Sequence, residues 1–130
     1  MQLSKFQFLN PYLVDVYFCV NSDFASDAYD GEIEMQNDFK IHVKRSKNEN
    51  RANVQLELET NMTNEKAPFS LRIKVASDFK WEDLDDKTVE SMLNLNAPAL
   101  LLGYMRPIVA NITNSSNLPP YNLPFINFKE

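Results

Sequence analysis

Glycine is nearly absent: only Gly31 and Gly103 occur among the 130 residues. A phosphate-cradling loop needs several glycines close together, so no nucleotide-binding turn of that kind can be built here. Histidine and cysteine occur once each, as His42 and Cys19. A lone cysteine excludes an intrachain disulfide, and a zinc site, a Cys–His pair and a Ser-His-Asp triad are each left without a full set of residues. His42 lies between Lys40 and Lys44 on what reads as a solvated strand face. The densest acidic group, Asp83, Asp85 and Asp86, lacks the glycine and distal glutamate of a calcium loop, and helix capping accounts for it. No metal, cofactor or catalytic residue is therefore expected.

Excess positive charge is missing too. The net charge is −5, and a general nucleic-acid binder needs clustered Lys and Arg to displace counterions. No apolar run approaches the length of a membrane span. The opening Met1-Gln2-Leu3-Ser4-Lys5 lacks the basic start and apolar core of a secretion signal. The expectation is one soluble cytoplasmic domain over residues 1–130, long enough to bury roughly 65–70% of its unfolded surface.

What is present is period-two alternation followed by a helical pattern. Val54, Leu56 and Leu58 alternate with Gln55, Glu57 and Glu59; Phe69, Leu71, Ile73 and Val75 alternate with Ser70, Arg72 and Lys74. Upstream, Ile33, Met35, Phe39, Ile41 and Val43 form a third row that Asn37 breaks, a break that suggests a bulge. The links between these rows are short enough for hairpins, so the three strands predict an antiparallel meander with one wet face. An earlier strand, from about Tyr12 to Asn21, is apolar on both faces and should be covered on both. Pro11 cannot donate to a ladder and should interrupt it. This strand offers Tyr17 and Cys19 as oligomer-interface candidates.

Asp85 or Asp86 can cap a short helix carrying Val89, Met92 and Leu93, and Asn96 can cap a second with Pro98 in its first turn. The second carries Leu101, Tyr104, Met105, Ile108, Val109 and Ile112 at helical spacing, with Leu100, Leu102 and Ala110 widening the stripe. That exceeds what one exposed helix needs. Leu101, Tyr104, Met105, Ile108 and Ile112 are thus further interface candidates. Pro107 removes a helical hydrogen bond and crowds the carbonyl of Gly103, which predicts a kink there. The fold class read from these signals is α+β: a four-stranded antiparallel sheet packed on a long kinked helix and a short one.

The tail reads Leu118-Pro119-Pro120-Tyr121-Asn122-Leu123-Pro124-Phe125-Ile126-Asn127-Phe128, after a helix reading Leu102-Gly103-Tyr104-Met105-Arg106-Pro107. This resembles SecB, the bacterial protein-export chaperone family. Its apolar run enters a Pro-Tyr-Ala-Arg-Glu helix and continues into a Phe-Pro-x-Leu-Asn-Leu-x-Pro-Val-Asn-Phe tail. Tyr104 and Arg106 fall on family positions, while Gly103 and Pro107 replace the family proline and glutamate. Pro119, Asn122, Leu123, Asn127 and Phe128 match outright. The resemblance implies an ATP-independent chaperone that holds unfolded polypeptide clients, engages the export motor ATPase and assembles as a dimer of dimers. Because the sequence stops at Glu130, the family's further C-terminal helix is not expected.

The resemblance also places a peptide groove. Phe79, Trp81 and Leu84, between the last strand and the first helix, either fold onto the core or line that groove. Leu118, Tyr121, Leu123 and Phe125 either pack on the chain's own helix or form a groove wall. The acidic surface for the motor has Glu57, Glu59 and Glu65 as candidates. Two alternatives stand beside this: a chaperone dedicated to one client, such as the antitoxin of a toxin–antitoxin pair, or a structural or small-ligand-binding oligomer on the same fold.

Overall fold

The computed structural model describes residues 4–24 and 34–128. Gly31 and the expected start of a strand at Ile33 lie outside them. Five strands form one antiparallel sheet: β1 (Phe6–Phe8), β2 (Tyr12–Val20), β3 (Asn37–Arg45), β4 (Arg51–Thr60) and β5 (Phe69–Trp81). Both β1 and β2 pair with the same edge of β5, and β4 and β3 follow on its other side. The expected four strands are therefore four lanes. The first lane is split in two, because Pro11 has no N–H to donate where the ladder would continue. A register shift between Leu13 and Asp15 bends β2 just beyond that break.

The expected bulge at Asn37 does not form. Pairing runs without a shift from Asn37 opposite Thr60 to Arg45 opposite Ala52. Nor does β5 end near Val75. It continues to Trp81, with Ser77, Phe79 and Trp81 in the same inward row as Leu71 and Ile73. A serine in an apolar row looks like a strand end, but here the buried Ser77 hydroxyl donates to the carbonyl of Leu9. A buried hydroxyl is tolerated once it is paired.

The helical part is one run. Asp85 caps α1 (Asp86–Ser91) by accepting from the Thr88 amide at 2.8 Å. Hydrogen bonds from Thr88 hold the Asp85 carboxyl below the usual aspartate pKa. A π-turn over Met92–Asn96 then leads into α2 (Ala97–Asn114). Asn96 has helical backbone angles and makes no side-chain cap, so it does not start a separate helix. Pro98 supplies the physical reason for the wide turn: it cannot donate a helical hydrogen bond, and the Ala97 amide reaches back to the Met92 carbonyl instead. Helical structure continues on both sides of Pro107, whose ring sits on the exposed side of α2.

The core lies between α2 and the inward faces of β4 and β5. Val54, Leu56, Leu58, Leu71, Ile73 and Val75 meet Leu101, Met105 and Val109, all fully buried. Each such side chain stabilises the fold by about 1.5–3 kcal/mol relative to exposure. The buried line on α2 is Leu101, Met105, Val109 and Thr113, four residues apart, with Tyr104, Ile108 and Ile112 half-buried beside it. Beyond α2 the tail folds back over the domain. Leu123 is buried, Phe128 meets Phe39 edge-on at 6.1 Å, and Arg106 donates to the Leu123 carbonyl.

Candidate functional site

A groove of about 540 Å³ opens where the end of β2, the start of β5 and the beginning of the tail converge. One side is formed by Val20, Phe24 and Phe69, the other by Leu118, Pro119 and Tyr121, with Met35 from the approach to β3. Every lining side chain is uncharged. Phe24, Phe69 and Tyr121 put three aromatic rings in its wall; Phe69 lies 5.8 Å from Tyr121 between centroids and is backed by Phe18 at 5.6 Å. Aromatic rings and a thioether present broad, polarizable area with few rotatable bonds in the rings, which suits apolar side chains of differing shape. Two prolines in succession stiffen the tail side.

Of the groove candidates read from sequence, Leu118 and Tyr121 are brought together here. Phe79, Trp81 and Leu123 are not available to a groove: they are 1%, 5% and 1% exposed and belong to the core. Phe79 and Trp81 stack on Phe6, and the Arg45 guanidinium covers the Trp81 ring at 5.5 Å. Their burial follows from the unexpected length of β5. Leu84 is half-buried against that same core. Phe125 is 91% exposed, away from the groove, with the Arg106 guanidinium 4.3 Å from its ring centroid. The residues sequence reasoning missed are Val20, Phe24 and Phe69. Val20 ends β2, Phe69 begins β5 and Phe24 lies in the loop after β2, and only the fold back of the tail brings them opposite Leu118.

A family model, the preprotein translocase subunit SecB, matches residues 1–130. The chain belongs to the SecB family. It is 24% identical over 132 residues to the protein-export protein SecB of Jannaschia sp. (strain CCS1), an alignment covering 98% of this chain and 77% of that relative. To SecB of Anaplasma phagocytophilum it is 33% identical over 79 residues, covering 58% of this chain and 50% of the relative. Among solved structures it resembles the Mycobacterium tuberculosis SecB-like chaperone in complex with a peptide from the HigA1 antitoxin, with a TM-score of 0.75 at 16% identity. That likeness covers 94% of this chain and 91% of the other, and it shows a shared fold.

Within this SecB fold the other candidate surfaces are distributed unevenly. Tyr17 and Cys19 are exposed on β2, whose outer edge pairs with no strand among the described residues. Tyr104, Ile108 and Ile112 keep some surface, whereas Leu101 and Met105 are fully buried within the chain and have none to offer a partner. Glu57 is only 8% exposed, with the Lys74 ammonium at 3.6 Å and His42 Nε2 at 3.8 Å. Glu59 lies between Asp38 and Arg72 in the sheet register. Only Glu65, in the turn before β5, is freely exposed. At the far end Arg45 bridges to Asp86 at 3.0 Å and Glu90 at 2.8 Å. Desolvation would lower its pKa, but the hydrogen bonds and negative charges of Asp86 and Glu90 together raise it. No described helix is long and apolar enough to cross a membrane.

Proposed function

We propose that this SecB-family chain holds unfolded or partly folded polypeptide clients by apolar contact, without nucleotide. The observation that carries this reading is the uncharged groove walled by Phe69, Met35, Leu118 and Tyr121. Holding a client requires accessible apolar area on a rigid support and no catalytic group. We infer that the work is cytoplasmic, where preproteins await export.

Self-association fits the same reading. The outer edge of β2 exposes Tyr12, Leu13, Val14, Val16 and Tyr17 at 41–48%. An apolar, unpaired edge is a template for pairing with another chain. We propose that β2 and the outward side of α2 carry assembly into a dimer, with the family's dimer of dimers as the complete form. Among the described residues the sheet offers the export motor no acidic surface. On the outward sheet face Lys40 and Lys74 flank Glu57 and Arg72 lies opposite Glu59, so this face is balanced in charge, not acidic. A motor contact would have to rely on Glu65 and carboxylates off the sheet.

The test is suppression of aggregation of a chemically unfolded client, with the wild-type chain and with Leu118→Asp. Wild type should protect at a few-fold excess without ATP. The aspartate places a charge in the apolar groove and should abolish most protection while circular dichroism and mass in solution stay unchanged. Wild type with no effect on aggregation at several-fold excess would remove the reading. Protection of one client out of a varied panel would turn it toward a dedicated chaperone.

A further inference from the structure

We propose that Asn37 and Thr113 are positioning residues for the groove: together they fix Tyr121, the aromatic on its tail side, and thereby set the shape a client meets. The inference rests on the client-groove reading and adds the polar side chains that hold the groove in its shape.

Side chains, not backbone pairing, hold the tail. Among the described residues no backbone–backbone hydrogen bond outside the helices and strands reaches residues 118–128. Prolines at 119, 120 and 124 remove three of its donors. Tyr121 is instead held at both ends. Its amide donates to the Thr113 hydroxyl oxygen at 2.7 Å, and that buried hydroxyl donates in turn to the Val109 carbonyl at 2.9 Å. Its phenolic oxygen accepts from Asn37 Nδ2 at 2.6 Å. Asn37 Oδ1 accepts from the Thr60 hydroxyl at 2.7 Å, which fixes which way the amide points. The Tyr121 ring is thus held at 5.8 Å from Phe69, across the groove wall.

This arrangement explains a feature that sheet pairing leaves unexplained. Asn37 interrupts the apolar row leading into β3, yet no bulge forms there. A half-buried amide in an apolar row destabilises unless its hydrogen bonds are made. Here its bonds run to the neighbouring strand and to the tail. Asn61 plays a parallel part opposite. It sits in the left-handed region at φ 58°, accepts from the Gln36 amide at 3.0 Å and directs Nδ2 to the Met35 sulfur at 3.1 Å. Met35 and Tyr121, two lining residues from separate segments, are therefore both held from the β3–β4 end of the sheet.

The experiment is a double-mutant cycle on Asn37→Leu and Tyr121→Phe, reading affinity for a labelled, reduced and alkylated α-lactalbumin beside the thermal midpoint of each variant. Each single change should weaken client binding about three- to tenfold, the range expected from one lost hydrogen bond. The double variant should bind no more weakly than Asn37→Leu alone, since that change already removes the bond to Tyr121. Variants that lose thermal stability yet bind like wild type would make the contact purely structural and overturn the inference. It would also fall if Tyr121→Phe weakened binding and Asn37→Leu did not, because the hydroxyl would then act on the client directly. Wild type that fails to bind in this assay removes the groove reading and the inference together; wild type that binds, with unchanged variants, removes the inference alone. If Asn37→Leu does not fold, Asn37→Ser, too short to reach the hydroxyl, takes its place.

Discussion

Trp81 shows how one residue divides a binding role from a packing role. It is the only tryptophan, and an exposed tryptophan would be a natural client contact. In the fold it is 5% exposed, stacked on Phe6 at 6.1 Å and roofed by Arg45. Trp81→Ala should therefore cost about 3–5 kcal/mol, as large aromatic truncations in cores do. Against a total stability of about 5–15 kcal/mol, the thermal midpoint should fall steeply. Any variant that remains folded should bind clients with wild-type affinity. A stable variant with impaired client binding would return Trp81 to the groove. The sequence left its role open because a single polar residue, Ser77, hides the continuation of the strand. Glu57 misleads for the opposite reason: alternation places it on the wet face, but Lys74 and His42 close over it. Pairing of this kind depends on strand register and is invisible in one strand's pattern.

At the scale of elements most of the architecture was legible. Alternation located β3, β4 and β5, proline chemistry located the break in the first lane, and the Asp85–Asp86 pair marked the helix start, with Asp85 the residue that caps it. What was not legible is how α1 joins α2. A capping asparagine followed by proline predicts a helix start, yet the same Pro98 can be passed by a π-turn when the Ala97 face is buried against the core. On the outward side of α2, Ala99, Gly103, Pro107 and Asn111 follow at four-residue spacing, all exposed. A methyl built on Gly103 would meet nothing within 4 Å. Gly103→Ala should thus stabilise the helix by about 0.5–1 kcal/mol, by reducing the backbone entropy lost on folding. Thermal unfolding at low protein concentration measures this. A lower midpoint together with a lower mass in solution would instead show that the methyl intrudes on a second copy packed against this face.

At the scale of the molecule the two edges of the sheet are built differently. The β3 edge carries Lys40, His42, Lys44 and Arg45, and charged side chains, lysine above all, are the usual device that keeps an edge from pairing. The β2 edge, Tyr12–Val20, has one charged residue, Asp15, already bridged to Arg72 at 3.0 Å. The sequence reading that this strand is apolar on both faces was right about its composition. It expected cover on both faces, and a single chain leaves several of these side chains more than 40% exposed. A second copy laid along β2 would supply that cover and leave the groove at the strand's end accessible. Val16→Lys tests this at a position 41% exposed, where a lysine can reach water without disturbing the core. The variant should keep the wild-type circular dichroism spectrum and lose mass by light scattering, falling from an oligomer to a single chain at tens of micromolar. An oligomer of unchanged mass would move the interface away from β2. A wild-type chain that is already monomeric at that concentration would leave the exposed edge as part of the client-binding surface, where an extended polypeptide could add to the sheet as a further strand.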